Sequence, residues 1–204
     1  MSVRLGRFTE RSGVLPTTKF AYRKGLDTCD ALLCVSHTLQ SALESGQKAW
    51  IVQIDISAAF DRVNHVGILY KLCSVGIGSS VLSILTQFLS NRSQQVMVDG
   101  CRSKLVNVVS GVPQGSVLGP LLFLLYTSEL FSILENTLIG YADDSTLMAV
   151  MPSPSVRVAV AESLIRDPGR VSEWCDLWGM KLNATKTKTM IVSRSAQCIP
   201  SHHY

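Results

Sequence analysis

The sequence predicts an α+β fold with a largely antiparallel sheet, and three observations predict it. Helical and strand patterns alternate without a βαβ rhythm. Two hairpin signals, at Asp99-Gly100 and around Ala142-Asp143-Asp144-Ser145, imply antiparallel pairing. Of the 204 residues, 47% are apolar, enough to bury a sizeable core and to exclude a disordered chain.

Residues 1–20 have weak periodicity and the turn residues Gly13 and Pro16, and read as an irregular lead-in. Asp27 and Thr28 can cap a helix from about Cys29 to Ser45. Its apolar side would carry Leu32, Leu33, Val35, Leu39, Ala42 and Leu43, with Gly46 ending it. Ala49–Ile54 is a short apolar run between Lys48 and Asp55, the pattern of a buried strand. Helices follow at about 65–75, stopped by Gly76, and 80–89. Gln94–Val98 and Lys104–Val109 form the first hairpin. Residues 117–135 read as one long buried helix. Leu138–Tyr141 and Thr146–Val150 form the second hairpin. A Pro/Ser linker at 152–155 precedes a helix to about Trp178, which Pro168-Gly169 should break or kink. Met180–Leu182 and Thr187–Ser193 read as short strands.

The net charge is +4, which permits a nucleic-acid partner without arguing for one. Cysteines stand at 29, 34, 73, 101, 175 and 198, with no C-x-x-C pair and so no zinc pattern. Reduced, mostly buried thiols in an intracellular protein are expected, with nucleus or cytoplasm left open. No secretory leader is legible in the N-terminal residues. The longest apolar run, around Val117–Tyr126, is too short to span a bilayer, so no membrane is expected as a partner.

Three segments could carry chemistry. Tyr141-Ala142-Asp143-Asp144 sets two adjacent carboxylates on a hairpin. Such neighbours repel unless a cation or proton intervenes, and Mg²⁺ favours these oxygen ligands. Taken alone, the pair reads at least as readily as a solvated turn. Ile51-Val52-Gln53-Ile54-Asp55 ends an apolar strand in an acid. That acid would meet the hairpin if the strands are neighbours, completing a minimal two-metal set. A helix cap is the plain alternative. Ser110-Gly111-Val112-Pro113-Gln114-Gly115-Ser116 is a constrained loop leading into a helix. Either backbone approaches a phosphate-bearing ligand there, or the loop is structural.

In order along the chain, these blocks resemble reverse transcriptases, most closely those of non-LTR (LINE-like) retrotransposons. The matching segments are 51–61 with Ala59-Phe60-Asp61, Gly111–Ser116, and Tyr141–Asp144. Trp178–Thr187 and Phe20-Ala21-Tyr22-Arg23-Lys24-Gly25 also match, so about 18–194 is covered. The resemblance implies a right-hand polymerase. About 1–50 and 70–110 would be partial fingers, and about 50–65 and 110–195 the palm, within a single domain. It implies RNA-templated synthesis of DNA from deoxynucleoside triphosphates on a DNA primer, with two Mg²⁺ ions and Mn²⁺ as a substitute. Asp55 and Asp143 would be the principal metal ligands and Asp144 a weaker one. Lys186 would neutralise the leaving pyrophosphate, with a solvating surface lysine as the alternative. Ile56, Gln114 and Gly115 would line the nucleotide. Phe60 would exclude a 2′-hydroxyl. Arg23, Lys24 and Arg92 would meet phosphates, and Tyr141 would pack near the primer end. Asp61 and His65 would shape the turn after the strand.

The same comparison leads to the expectation that the chain starts within the fingers and stops before a thumb. It would then be part of a longer polyprotein. Two rival readings stand beside it. One is a catalytically inactive nucleic-acid-binding remnant. The other is a Mg²⁺-dependent phosphohydrolase, which accounts for neither the Pro-Gln-Gly loop nor Phe60.

Overall fold

The computed structural model describes residues 2–151 and 157–194. The 152–155 linker and Cys198 lie outside the described residues. The α+β expectation holds. A four-stranded antiparallel sheet has the order β6-β7-β1-β8. Its strands are β1 (Lys48–Ile54), β6 (Thr137–Tyr141), β7 (Asp144–Met151) and β8 (Lys188–Val192).

β1 lies between β7 and β8, and apolar residues on both its faces are buried. Ile51 packs with Phe20, Ala31, Ile139 and Met148 on one side. The helix α2 (Thr28–Glu44) covers that side. Val52 and Ile54 belong to the larger core on the other, with α3 (His65–Ser74), α4 (Ser79–Leu89) and α5 (Gly119–Thr127). Every residue of α5 except Pro120 is buried, as expected of a helix that is apolar all round. The long helix α7 (Arg157–Trp178) brings Trp174 and Trp178 edge-on to Tyr126.

The signals for α2 were sound at its ends. Asp27 accepts from the Cys29 and Asp30 backbone, and Asp30 returns a bond to the Asp27 N–H, a full capping box. Its apolar side was misjudged: Leu32 and Leu33 are 65% and 67% exposed, while the small Ala31 and Ala42 face the sheet. In the first hairpin, Asp99 and Gly100 both take positive φ (48° and 79°). They join β3 (Met97–Val98) to β4 (Cys101–Arg102), inside a second pair, β2 (Arg92–Gln94) and β5 (Val106–Val108).

Four expectations about the elements themselves also need correcting. Residues 1–20 are not wholly irregular: α1 spans Ser2–Arg11, burying Leu5 and Thr9. The helix expected over 117–135 is two, α5 and α6 (Leu130–Ile133). Thr127 and Ser128 hydroxyls bond back to the carbonyls of Phe123 and Leu125 near the break. α7 runs through Pro168 without a break. Asp167, fully buried, ties that turn to the backbone N–H groups of Glu135 and Asn136. Met180–Leu182 is not a strand, although Leu182 forms an isolated bridge with Ile56.

Cys29, Cys34, Cys73, Cys101 and Cys175 are free thiols. Only Cys175 is buried, so most of the described cysteines sit nearer the surface than expected. Among the described residues, no helix is long and apolar enough to cross a membrane.

Candidate active site

The register of the central strands brings the acids together. Ile54 pairs with Ser145 in the β1–β7 ladder, so the next residue outward on each strand is Asp55 on one and Asp144 on the other. Tyr141 pairs with Asp144 across the tight turn Ala142-Asp143. Ala142 takes φ 55°, the left-handed conformation such a turn requires. Asp143 therefore stands at the tip of the hairpin.

A third chain segment completes this edge. The Asn183 N–H donates to the Asp55 carbonyl at 2.8 Å, and the Ser57 N–H donates to the Lys181 carbonyl at 2.8 Å. Residues 181–183 thus run beside 55–57 and carry the following turn to the acids. Asp55, Asp144, Thr185, Lys186 and Lys188 line one concavity of about 510 Å³. Lys188 is an addition to the residues expected from sequence.

Burial, then the charges of Asp143 and Asp55, push the Asp144 carboxyl above its ordinary value. Among the described residues, neither Lys186 nor Lys188 is ion-paired with Asp55 or Asp144. The carboxylates repel each other without a compensating cation, and their all-oxygen donor set suits Mg²⁺. No group of three His, Cys, Asp or Glu among the described residues is gathered tightly enough to hold a metal by itself. Mg²⁺ commonly takes only one or two carboxylates and draws its other ligands from substrate phosphates and water, so the acids present fit that ion.

Asp143 is also felt by two residues to which the sequence assigned no role. Lys19 is 1% exposed and donates from Nζ to Thr127 Oγ1 at 2.7 Å. Its ammonium lies 4.8 Å from the Phe131 ring centre. Burial lowers its pKa to about 7, with Asp143 opposing that fall. The Phe20 N–H bonds to the Gly140 carbonyl, and the Gly140 N–H to that of Thr18, anchoring this lysine beneath the hairpin. Tyr22 is 53% exposed at φ 59°, and burial followed by the charges of Asp143 and Tyr141 raises its hydroxyl pKa. The detectable signal was position: both residues lie within or beside the Phe20–Gly25 block.

Phe60 sits on a short 3-10 turn (Ala59–Arg62) entered through Ala58 at φ 48°. Its ring stacks on Phe123 at 4.3 Å and meets Tyr22 edge-on at 6.2 Å. Tyr22, Phe60, Gln114 and Gly115 share a concavity of about 240 Å³. Ile56 is buried and lines neither this concavity nor the one at the acids.

The Pro-Gln-Gly loop is locked onto the same turn. Gln114 Nε2 donates to Asp61 Oδ1 at 2.8 Å, the Val112 N–H donates to the Phe60 carbonyl, and His65 Nε2 lies 2.8 Å from the Gly111 carbonyl. Asp61 and His65 shape the turn, as expected. Gly111 takes φ 88°, and a Cβ there would lie 2.8 Å from the Asp61 backbone.

The remaining candidates separate. Arg92 lines a concavity of about 670 Å³ with Gln114 and Asp61. Lys24 is exposed. Arg23 is committed internally: it forms a paired contact to Glu10 and donates to the carbonyls of Pro16 and Lys19. Tyr141 is half-buried beside the smaller core.

The sequence profile of the family described as reverse transcriptase (RNA-dependent DNA polymerase) matches residues 3–199. The RNA-directed DNA polymerase from mobile element jockey of Drosophila funebris is 30% identical over 198 residues, covering 94% of this chain and 21% of that protein. The probable RNA-directed DNA polymerase from transposon X-element of Drosophila melanogaster is 29% identical over 195 residues, covering 93% of this chain and 21% of that protein. The chain therefore spans about a fifth of the length of these curated relatives. The solved structure of apo telomerase from Candida tropicalis, truncated from its C-terminal domain, superposes with a TM-score of 0.68 at 13% identity. It covers 96% of this chain and 40% of that one. At that identity the likeness concerns fold alone, and it agrees with a palm-like α+β arrangement.

Proposed function

The chain belongs to the reverse transcriptase (RNA-dependent DNA polymerase) family, and from that premise we propose that it performs RNA-templated nucleotidyl transfer at the sheet edge formed by Asp55, Asp143 and Asp144. The substrates would be deoxynucleoside triphosphates, a DNA primer and an RNA template, in the course of retrotransposition. The observation that supports this most directly is the concavity shared by Asp55, Asp144 and Lys186, which come from three separate stretches of chain.

In this reading Asp55 and Asp143 are the main ligands of two Mg²⁺ ions, and Asp144 assists them. Bound there, the ions supply Lewis acidity to the primer 3′-hydroxyl and charge for the leaving pyrophosphate. Lys186 places a further positive charge where that pyrophosphate departs. Gln114 and Gly115 border the nucleotide, and Phe60 blocks a 2′-hydroxyl. Asp61 holds Gln114 in position rather than meeting substrate. Arg92 and Lys24 face template or primer phosphates, and Tyr141 supports the primer end. About 50–65 and 110–195 act as palm, with about 1–50 and 70–110 as partial fingers. Arg23 serves this site through structure, since its donors are occupied.

Primer extension on a homopolymeric RNA template with Mg²⁺ tests the proposal. Extension is expected from the parent chain, lost in EDTA and lost in Asp55→Ala, with the circular dichroism spectrum unchanged. Normal incorporation by Asp55→Ala would remove Asp55 from the mechanism. Template binding without extension by the parent chain would favour the inactive remnant instead.

A further inference from the structure

Helix α1 carries an electrostatic arrangement that the polymerase site does not use. Arg4, Arg7 and Arg11 are all exposed. At about 100° per residue they fall within an arc of about 60° on one helix face. Among the described residues, none of the three makes a hydrogen bond or ion pair. The one acid of the helix, Glu10, is taken by Arg23. Arg11 suits the last turn of the helix, but the spacing within the row works against it. Arg4 lies near the positive end of the macrodipole, and Arg7 and Arg11 repel each other at i,i+4. A solvated helix face has no need of that cost.

An apolar trough runs beside the arginines. Phe8, Ile77, Val81 and Ile84 line a concavity of about 500 Å³ whose edge is Arg4. Ile84 is 50% exposed there. A second, shallower concavity of about 440 Å³ continues along Arg4, Arg7, Phe8 and Arg11. A row of guanidiniums next to an apolar trough matches a polymer with charged phosphates on one side and free base faces on the other. Single-stranded nucleic acid has both. A duplex offers the phosphates but keeps its bases stacked inside.

We propose that the α1 arginine face and the Phe8–Ile84 trough form a binding surface for single-stranded RNA, distinct from the carboxylate site. The three arginines hold successive phosphates and the trough takes unstacked bases. The choice of RNA over DNA rests on the polymerase reading above; the single-stranded geometry does not.

The test is fluorescence anisotropy of the whole chain with a labelled single-stranded RNA of mixed sequence, over a range of salt. Replacing all three arginines (R4Q/R7Q/R11Q) should flatten the slope of log K against log salt by about 2, near 0.7 for each phosphate no longer neutralised on a single strand. The charge-keeping R4K/R7K/R11K should retain most of the slope, which separates charge from any loss of folding. Ile84→Gln should weaken single-stranded binding about fivefold or more with the slope unchanged, and should not affect duplex RNA. Binding is read without Mg²⁺, nucleotide or primer, so failure of the catalytic reading, which is scored by primer extension, and failure of this surface give different results. An unchanged slope in the glutamine variant overturns the proposal. So does equal loss in the lysine variant, or absence of RNA binding at low salt. An Ile84→Gln effect shared by duplex RNA overturns the single-stranded assignment.

Discussion

Phe60 lines the concavity proposed to take the nucleotide, and its ring has a platform there. Phe123, buried in α5, stacks beneath it, and Tyr22 meets it edge-on. A ring held from two sides can exclude a hydroxyl more firmly than a free one, since it has little room to rotate away. Phe60→Val should therefore raise ribonucleotide incorporation relative to deoxynucleotide by about 10- to 100-fold, in the range that one pocket side chain can supply. Single-nucleotide extension with paired dNTP and rNTP measures it, and an unchanged ratio would remove Phe60 as the sugar discriminator.

Lys19 makes a separate prediction at the same scale. Its folded pKa of about 7 lies below the ~10.4 of an unfolded lysine. Between those values the unfolded chain holds more protons, so stability rises with pH. Below about 7 both states are charged and the cost of burial is fully present. Relative to Lys19→Met, the parent chain should gain up to about 1.4 kcal/mol per pH unit between pH 7 and 9, measured by urea unfolding without divalent metal. Parallel pH profiles for the two proteins would show that Lys19 does not titrate there.

Among the elements, α7 is tied to the segment just before β6 by ion pairs of Arg166 and Arg170 with Glu135 and, most deeply, by one buried carboxylate. Asp167 is 0% exposed and accepts from the Glu135 and Asn136 N–H groups at 3.0 and 2.9 Å and from Asn136 Nδ2 at 2.8 Å. Those donors lie just before β6, which leads to Asp143. Asp167→Ala would remove these three part-buried hydrogen bonds to an ionised acceptor at once, and should cost about 1–3 kcal/mol. Thermal or urea unfolding reads this; a change within 0.5 kcal/mol would show that water replaces the carboxylate. Asp167 was invisible in the sequence because its partners lie some thirty residues away, and local pattern showed only the proline after it. The same limit explains the other misses. α1 has a single narrow apolar stripe, too thin to register as periodicity. Leu32 and Leu33 look like core, yet α2 turns its alanines to the sheet, where small residues allow close approach. By contrast, the capping box, the Asp99-Gly100 turn and the strand over 48–54 depend on neighbouring residues and were legible. The candidate acids were legible for a different reason. Each was weak alone, but their order along the chain identified them together, while Tyr22, Lys19 and Lys188 required the fold to bring them in.

Across the whole molecule, stability is unevenly distributed. Residues 91–107 are all exposed, and β2–β5 and β3–β4 pair only with each other. Val96, Met97, Val98 and Leu105 are each at least 63% exposed, so this arm lacks a core of its own. Local opening there should cost far less than opening the central sheet. Within residues 48–151, trypsin should therefore cut first in this arm, at Arg92, Arg102 or Lys104, ahead of Arg62 and Lys71, which are better buried. The nick would fall between β1 and the other strands of the main sheet. β1 pairs along its length with β7 and β8, both from the far side of the cut. The two pieces should consequently remain one particle by gel filtration and separate only in denaturant. The carboxylate edge, with Asp55 on one piece and Asp143 and Asp144 on the other, should stay assembled. Mass spectrometry of early digestion products locates the cut, and a first cut at Lys48, Arg62 or Lys71, or separation of the pieces under native conditions, would contradict this distribution of stability.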